Sequence, residues 1–400
     1  MSAPTKKQVG IWQNDEFGGA GRGGGRPPPA ARKNLPVPRA KACKTNCPRP
    51  QKYGILLAES RNAMAGERTH MTKQAVTRKD VARRAGVSET IVSYVLNNNR
   101  YVEKGKRERV LQAVKELNYQ PNRIARALKG KKTNHIVFIA DNISTEHFSQ
   151  LIDVMDYHAY SKGYLISLIA NRNDDDFVSQ VISRQCDGII VSSLSIPESY
   201  LHQFVAAGLA VVVLQNRNYQ DLTGAAVIHT GLYNGAREGV RFLAGQGRRH
   251  ILYVDRFSTH GHFSGRGDYR LHGYYDEMEA LGLAPYVITG CTSPEELAAA
   301  VAAYCAAHPV DAILGRSDKV ACIAMRAAID LGRRVPEDVA VVGFDNSSLS
   351  QYMRPTMTSI EIQRDQIGKA AVEMLEQMLN GGGVPEPRSF QTRLIRRESA

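Results

Sequence analysis

The stretch DVARRAGVSETIVSYVLN, residues 80–97, combines two short apolar patterns with a single glycine between them. Thr77 and Asp80 have the three-residue spacing of a helix N-terminal cap, and Gly86 permits the sharp reversal that ends a first helix. Ser88 is then placed to cap a second helix. The side chains that share the inner face of the first helix are Val81, Ala82 and Ala85.

A third helix is predicted from about residue 104 to residue 117, and three short helices can enclose one small core. The apolar residues that face this core from the second and third helices are Val92, Val95, Leu96, Val110, Val114 and Leu117. This arrangement is a helix-turn-helix, whose second helix enters the major groove of DNA and presents its outward side chains to base edges. Those side chains are Glu89, Thr90, Ile91, Ser93 and Tyr94. A small helical bundle without a nucleic-acid partner is the alternative.

The net charge of +13 is unevenly distributed along the chain. Residues 1–70 hold 13 Lys and Arg against 4 Asp and Glu, residues 71–135 hold 16 against 5, and residues 136–400 hold 23 against 30. A polyanionic partner is therefore expected to contact the first third of the chain, and the remainder is a mildly acidic body. The basic excess over residues 71–135 favours DNA binding over a bundle without a partner.

The first seventy residues are rich in Gly, Pro, Arg and Lys and contain little that a core could bury, so we expect residues 1–70 to be disordered. Gly19, Gly21 and Gly24 match a dinucleotide-binding loop in spacing only, because no strand precedes them and three prolines follow. The segment is either a basic arm that adds nonspecific DNA affinity or the result of a start codon assigned too early. We favour the second interpretation, since Met71 opens a sequence that needs nothing before it.

Targeting and redox signals are weak. No stretch approaches the roughly 18 apolar residues of a membrane span, and the N-terminus lacks the apolar core of a signal peptide, so a cytoplasmic protein is expected. Cys43 and Cys47 have no matching second pair and do not predict a zinc site. The cysteines predicted to be reduced core thiols are Cys186, Cys291, Cys305 and Cys322.

Apolar runs alternate with helical stretches from residue 134 to residue 400. The runs are HIVFIA, YLISLIA, DGIIVSS, AVVVLQ, HILYV, DAILG and DVAVVGF. Continuous apolar strands between helices predict parallel sheets that are covered on both faces. About 265 residues of this pattern predict an α/β body of two subdomains, with a cleft between the carboxyl ends of their strands.

Catalytic signals are missing from this body. No nucleophile with a base, paired acid and base, Walker motif or nucleophile elbow stands out, so an enzyme is not expected. His260 and His262 lie in a glycine-rich loop without a placed carboxylate and are interpreted as loop residues rather than metal ligands. The sequence therefore predicts no catalytic residues, no metal site and no cofactor.

Several motifs together resemble the lac and gal repressor (LacI/GalR) family of bacterial transcriptional regulators. They are VTRKDVARRAGVSETIVSYVLNNNRYVEKGKRERVLQAVKELNYQPNRIARALKGKKTNHIVFI at residues 76–139, and CDGIIVSS, RLHGYYDEMEALG, VPEDVAVVGFDN and LIRRES further on. The resemblance covers about 325 residues. It implies a helix-turn-helix domain, a hinge helix and a two-subdomain body with the periplasmic-binding-protein-like fold, used in the family to bind small effectors.

The resemblance also implies which residues contact DNA. The segment YQPNRIARAL, residues 119–128, resembles the hinge helix, which in the family folds on the operator with its leucine, here Leu128, wedged into a minor-groove step. Tyr94 stands where most members carry an arginine, so we expect a different base preference at that position. The complete set of expected DNA-binding residues is Thr77, Ser88, Glu89, Thr90, Ile91, Ser93, Tyr94, Asn97, Asn122, Arg123, Arg126 and Leu128.

For the effector, Arg270 and Asp345 are the best matches to family positions. Their donors and acceptors can together hold sugar hydroxyls or the edge of a heterocycle, and a purely structural ion pair is the alternative. Other positions depart from the family pattern, including the pair at residues 231–232, which replaces a frequent Asp-Asn. The expected effector-binding residues are His147, Asn216, Arg270, Ser317 and Asp345.

These observations predict a chain organised as a disordered extension (1–70), a helix-turn-helix domain (71–120), a hinge helix and linker (121–133) and an effector-binding and dimerisation domain (134–400). The expected function is a repressor that binds palindromic double-stranded operator DNA as a homodimer, modulated by a sugar-like effector. Dimers rather than tetramers are expected because no heptad tail follows LIRRES. The alternatives are a ligand-blind architectural DNA binder and a solute-binding protein without a regulatory role.

Overall fold

The structure is a computed structural model that describes residues 11–12, 76–98, 100–120, 132–174, 176–259, 261–265 and 267–400. The described residues fall into two compact units. We call residues 76–120 the head, and residues 132–400 together with residues 11–12 the body. Among these residues, no helix is long and apolar enough to cross a membrane.

The head contains the three predicted helices, α1 (Arg78–Ala85), α2 (Glu89–Asn97) and α3 (Lys104–Glu116). The Thr77 side chain accepts from the backbone N–H of Asp80, whose carboxylate accepts from the N–H of Thr77, so the predicted cap is a complete capping box. Gly86 ends α1 in the left-handed conformation with φ 64°, which is why a glycine stands at this reversal. Ser88 caps α2 as predicted.

One small core holds the head together. The buried residues of this core are Val81, Ala82, Ala85, Val92, Val95, Val102, Val110, Ala113 and Tyr119. Leu96, Val114 and Leu117, which were predicted inside, are partly buried at its margin. The predicted three-helix head is therefore confirmed.

The body begins with a six-stranded sheet in the order β12-β6-β5-β4-β2-β3. Its strands, all parallel to their neighbours, are β2 (His135–Ala140), β3 (Leu165–Ala170), β4 (Gly188–Ser192), β5 (Ala210–Gln215), β6 (Ala226–His229) and β12 (Arg388–Ser389). The helices that accompany this sheet are α4 (Glu146–Ser161), α5 (Phe177–Ser183), α6 (Glu198–Ala206) and α12 (Arg364–Leu379). We call these elements the N-subdomain.

A second sheet has seven strands in the order β1-β8-β7-β9-β10-β11-β13. Its strands are β1 (Ile11–Trp12), β7 (Ile251–Val254), β8 (Tyr286–Ile288), β9 (Ala312–Gly315), β10 (Ala340–Phe344), β11 (Thr358–Glu361) and β13 (Arg393–Ile395). Its helices are α7 (Leu232–Gly245), α8 (Tyr269–Ala280), α9 (Pro294–Ala307), α10 (Asp318–Asp330) and α11 (Ser348–Tyr352). β1 and β13 run antiparallel to their neighbours, and the other strands are parallel. We call these elements the C-subdomain.

Strand β1 corrects one prediction. Ile11–Trp12 pairs with β8, whereas disorder was predicted for the whole of residues 1–70. The reason is that β8 would otherwise end the sheet with unpaired backbone groups, which even a two-residue partner satisfies. The other residues of that segment, including Cys43 and Cys47, lie outside the described residues.

Alternate residues of the central strands bury opposite faces. In β2, Ile136 and Phe138 pack into the core that includes α4 and α12, whereas Val137 and Ile139 pack into the core that includes α5 and α6. Both faces of the strand are covered, as continuous apolar strands require. The predicted α/β body with parallel sheets is confirmed, and the free cysteines at 186, 291 and 305 are buried while the thiol at 322 is partly buried.

Strand β3 departs from this pattern. Its sequence LISLIA is as apolar as that of β2, but Leu165 is 44% exposed and Leu168 is 41% exposed. β3 is the last strand of its sheet and pairs only with β2 among the described residues. The prediction that every apolar strand is covered on both faces is therefore wrong for β3, since an apolar run alone does not distinguish an edge from a centre.

The two subdomains are joined by three neighbouring crossings of the chain, near residues 230–231, 362–363 and 390–392. Gly231 lies at the first crossing with φ 79°, and a Cβ placed there would lie 2.6 Å from the carbonyl oxygen of Phe390. The backbone of the third crossing thus leaves no room for a side chain at Gly231.

Helices α7 and α8 approach each other closely at Gly273. A Cβ at Gly273 would lie 2.3 Å from the carbonyl oxygen of Tyr233, so Gly273→Ala should separate the helices and destabilise the body by about 1–3 kcal/mol. Gly245→Ala is the matched control, because a Cβ at this last residue of α7 meets nothing within 4 Å. Scanning calorimetry should show a lower Tm for Gly273→Ala alone; equal Tm values would show that the helices can separate freely.

Candidate DNA-reading surface and ligand cleft

Helix α2 turns its polar side chains away from the head core. Val92 and Val95 are buried, while Glu89 and Thr90 are exposed. The other predicted DNA-binding residues of α2 are partly exposed, and they are Ile91, Ser93, Tyr94 and Asn97. This leaves one surface of α2 free to enter a groove, as the helix-turn-helix prediction requires.

Some predicted DNA-binding side chains already have partners in the head. The hydroxyls of Thr77 and Ser88 cap α1 and α2, which fixes where each helix begins. The Asn97 side-chain amide donates to the carbonyl oxygen of Ser93 at 2.8 Å and to its hydroxyl at 3.1 Å. The predicted hinge residues Asn122, Arg123, Arg126 and Leu128 lie outside the described residues.

Arg100 is a residue that the sequence reasoning missed. Its guanidinium carbon lies 5.2 Å from the centroid of the Tyr94 ring, within the range of a cation–π contact. The loop that follows α2 therefore brings a guanidinium to the side chain that stands in place of the family's arginine. Helical periodicity could not reveal this contact, because Arg100 lies beyond the end of α2.

The body contains a cavity of about 790 Å³, lined by both subdomains. The strand order reverses at β2 in the sheet of the N-subdomain and at β7 in the sheet of the C-subdomain. Ligands in open α/β sheets bind at such switch points, beyond the carboxyl ends of the strands. Asp141 follows β2, Arg256 lies two residues beyond β7, Arg316 follows β9 and Asp345 follows β10; all four line the cavity.

Arg270 and Asp345 meet inside this cavity. Arg270 Nη2 donates to Asp345 Oδ1 at 3.0 Å, and the guanidinium carbon lies 4.5 Å from the centroid of the Phe344 ring. Both residues are at least nine-tenths buried. The pair is thus an internal ion pair, as the structural alternative proposed, and it also forms part of the cavity wall.

The buried guanidinium of Arg316 lines the cavity. Its Nε and Nη2 each lie 3.1 Å from Asp268 Oδ2, and its Nε lies 3.5 Å from Asp255 Oδ1. Burial would raise the pKa of Asp268, but the neighbouring guanidiniums of Arg316 and Arg270 hold it below its usual value. Asp268 also caps α8 by accepting from the backbone N–H of Arg270. One carboxylate therefore orients two arginines of the cleft.

His147 lies at the N-terminal turn of α4, on the N-subdomain side of the cavity. Its Nδ1 accepts from Arg364 Nε at 3.2 Å and lies 3.8 Å from Asp345 Oδ1. Burial lowers the pKa of His147 to about 4, so the imidazole is neutral at neutral pH and acts as an acceptor.

Asp318, the first residue of α10, is a buried carboxylate of the cavity wall in addition to Asp345. The sequence analysis did not identify it. It accepts from the backbone N–H and hydroxyl of Ser347 and from the hydroxyl of Ser359. Burial, and then the nearby charge of Asp345, raise the pKa of Asp318 to about 7.

The two remaining predicted effector residues also line the cavity. The Ser317 hydroxyl caps α10 by accepting from the N–H of Val320 at 3.4 Å. Asn216 accepts from the N–H of Tyr269 through its carbonyl, and its side-chain Oδ1 is buried without a hydrogen-bond partner among the described atoms. All five predicted effector residues are thus brought to one cavity. The described residues contain no group of three or more His, Cys, Asp or Glu able to hold a metal ion.

Comparisons with known proteins agree with this geometry. Residues 77–122 match the family described as bacterial regulatory proteins, lacI family, and residues 240–400 match the periplasmic binding protein-like domain. The HTH-type transcriptional repressor PurR of Escherichia fergusonii is 30% identical over 334 residues, which cover 81% of this chain and 96% of that protein. PurR of Proteus mirabilis is 30% identical over 335 residues, with the same coverage of each chain.

Solved structures give the same result. The lac repressor dimer bound to operator and the anti-inducer ONPF has 26% identity and a TM-score of 0.71, and the match covers 82% of this chain and 99% of that one. The complex of the transcriptional regulator CelR with cellobiose has 24% identity and a TM-score of 0.60, over 81% of this chain and 100% of that one, and is alike in fold. The chain described here therefore belongs to the lacI family of bacterial regulatory proteins and is a DNA-binding transcriptional regulator.

Proposed function

We propose that this protein is a repressor that binds a two-fold symmetric operator as a homodimer and whose operator affinity is set by a small effector in the cleft of the body. The observation that carries the proposal is the presence, in one chain, of a helix-turn-helix head and a cavity between two α/β subdomains into which charged side chains converge. PurR is named a transcriptional repressor, and the lac repressor structure contains a dimer on its operator.

The head supplies the DNA-binding part of this function. One helix-turn-helix reads a half-site of a few base pairs, so two copies related by a two-fold axis favour a palindrome. We place the boundaries of the DNA-binding domain at residues 71–120 and those of the hinge at residues 121–133. Within the hinge, Asn122, Arg123, Arg126 and Leu128 are proposed to contact DNA when two subunits bring their hinge segments together.

The exposed edge of the N-subdomain supports dimerisation. Leu165 and Leu168 are more than two-fifths exposed, on a strand whose outer backbone groups face no neighbouring strand in the described chain. Natural proteins rarely leave an apolar edge uncovered, because such an edge pairs with other chains. We propose that a second copy covers β3.

The cleft supports effector binding. Its volume of about 790 Å³ is that of a small-molecule site, and it combines apolar walls with a few converging polar groups. Arg270 offers donors and Asp345 offers acceptors, which suits the hydroxyls of a sugar-like ligand. Because the described chain passes between the subdomains only at the three crossings near Gly231, a ligand that contacts both can change the angle between them. Regulation then requires that the ligand bind the two states with affinities that differ by about 1–3 kcal/mol.

The other functions fit the observations less well. A ligand-blind architectural DNA binder has no use for a cavity with buried charges, and a solute-binding protein has no use for a helix-turn-helix. An enzyme would need a nucleophile activated by a base. We propose instead that the cleft only binds, since Arg270 is engaged with Asp345 and Arg316 with Asp268.

The first test is selection of operator sequences from random duplex DNA by the full-length protein. A two-fold symmetric site is expected, with a large ratio of specific to nonspecific affinity that persists as salt is raised. Arg100→Gln should weaken binding to this site by about 1–3 kcal/mol and relax the preference at one base pair in each half-site, since Arg100 is held beside Tyr94. Arg84→Gln is the control, because Arg84 bonds to Glu116 on α3 and its loss should leave the base preference unchanged. A sequence-neutral pool would refute the proposal.

The second test concerns assembly. Leu168→Glu should place a charge in the subunit interface and convert the dimer to a monomer, with loss of operator affinity because each half-site is then bound alone. Leu331→Glu is the matched control, since Leu331 is 43% exposed at the end of α10 in the other subdomain. Analytical ultracentrifugation measures the oligomeric state. A Leu168→Glu dimer as tight as the unsubstituted one, or an unsubstituted tetramer, would contradict this assembly.

The third test concerns the effector. Sugars and polyols that raise the Tm of the full-length protein are measured for their effect on operator affinity. Asp345→Asn should keep operator binding and weaken the effect of such a compound about tenfold or more, because one charged acceptor is lost from the cavity. Asp330→Asn, which removes an exposed carboxylate paired with Arg326, is the control. An unchanged response in Asp345→Asn would exclude this pair from effector binding.

A further inference from the structure

One guanidinium of the cleft makes no hydrogen bond to the described residues of the protein. Arg256 lies two residues beyond β7 and lines the cavity with its side chain 19% exposed. Its Nε and Nη2 are buried and have no hydrogen-bond partner within the part of the chain that the structure describes. Its Nη1 lies 3.6 Å from Asp141 Oδ2, which is an ion pair without a hydrogen bond.

Asp141 is already engaged by its own subdomain. Its carboxylate accepts from the hydroxyl of Ser195 at 2.6 Å, from the backbone N–H of Leu194 at 2.8 Å, and from the hydroxyl of Ser193. These bonds hold the pKa of Asp141 below its usual value although burial acts to raise it. Asp141 therefore supplies negative charge to Arg256 but few free acceptor positions. A buried charged donor without acceptors is costly, which indicates that another group is meant to provide them.

The other guanidiniums of the cavity are engaged within the body. Arg270 donates to Asp345, Arg316 donates to Asp268, and Arg364 donates to His147 and to the carbonyl oxygen of Asp345. Among the donors of these three guanidiniums, only Nε of Arg270 is buried without a partner in the described residues. The cavity carboxylates are engaged as well, with Ser348 bonded to Glu146 across the cleft and Ser347 bonded to Asp318. Arg256 is thus the cavity guanidinium, among the described residues, that makes no hydrogen bond to the protein.

A second cation belongs to the wall of the same cavity. The ammonium of Lys319 lies 5.0 Å from the centroid of the Phe257 ring, and Phe257 is the residue that follows Arg256. Lys319 lines the same cavity and has no ion-pair partner among the described side chains. Burial and then the charge of Arg316 lower the pKa of Arg256, although the charges of Asp141, Asp255 and Asp268 act to raise it.

We propose that the effector carries an oxyanion, a phosphate or a carboxylate, that accepts hydrogen bonds from Arg256 and is neutralised by Arg256 and Lys319 together. A guanidinium with free adjacent donors fits two oxygens of such a group in a bidentate contact. The inference rests on the proposed effector-binding role of the cleft and narrows it from sugar-like compounds to acidic ones.

The experiment uses the full-length protein and pairs each acidic probe with its neutral parent. The probes are inorganic phosphate, D-glucose 6-phosphate with D-glucose, and D-gluconate with D-glucitol. Calorimetric titration and thermal shift should show binding of inorganic phosphate, and a larger Tm increase for one or both acidic probes than for the neutral parent. The two pairs distinguish a phosphate from a carboxylate.

Three variants assign the binding to Arg256. Arg256→Gln should weaken the binding of inorganic phosphate about tenfold or more, and Arg256→Lys should retain part of it, because the charge remains without the fork. Arg249→Gln, an exposed arginine of the same subdomain outside the cavity lining, should bind phosphate normally. The unliganded Arg256→Gln protein should have a Tm at least as high as the unsubstituted protein, since an unsatisfied buried charge is removed. A structural ion pair with Asp141 would instead lower the Tm.

The inference is overturned if no acidic probe binds, if neutral parents bind as well as their acids, or if Arg256→Gln binds phosphate with unchanged affinity. Operator affinity separates this result from the fate of the proposed function. If a neutral compound changes operator affinity equally in the unsubstituted protein and in Arg256→Gln, the proposed regulator function is supported and the proposal of an anionic effector is refuted. If phosphate binding depends on Arg256 but no compound changes operator affinity, the anion site is supported and the proposed effector-controlled regulation is refuted.

Discussion

The buried guanidinium of Arg316 is the interaction on which the arrangement of the cleft depends. It joins the end of β9 to Asp255, which follows β7, and to Asp268, which caps α8. Burial alone would lower the pKa of Arg316, but the charge of Asp268 raises it, so the group remains a cation in the interior. Because Asp268 also fixes the backbone of Arg270, removing this one charge would leave two carboxylates unpaired and the wall of the cavity without support.

The central strands could be predicted from the sequence because their apolar runs leave few other possibilities. β2, β4, β5 and β10 lie where the runs are. Six strands are absent from that prediction, β1, β6, β8, β11, β12 and β13. They are two to four residues long and are formed by pairing with a neighbour rather than by their own composition. The exposure of β3 was equally invisible, since a strand's place in the sheet order is set by chain topology.

The residues of the candidate site also fall into those that the sequence predicted and those that it did not. Arg270 and Asp345 were found through their motifs, and the structure adds that they contact each other. Arg256 and Arg316 were not found, although each lies within two residues of the carboxyl end of a predicted strand, where side chains of parallel sheets converge. Arg100 could not have been found, because its contact with Tyr94 depends on the path of the loop between two helices. Local pattern identifies the elements, whereas the partners of a charged side chain depend on tertiary packing.

The three crossings of the chain between the subdomains have a consequence for folding during synthesis on the ribosome. Helix α12 packs against α4 and beneath β4, β5 and β6, yet it is translated after all the central strands of the C-subdomain. A nascent chain that has emerged only as far as β6 lacks the helix that covers one face of its sheet. The N-subdomain therefore completes its fold only after more than a hundred further residues have left the exit tunnel. Until then, the apolar face that α12 covers is accessible to chaperones.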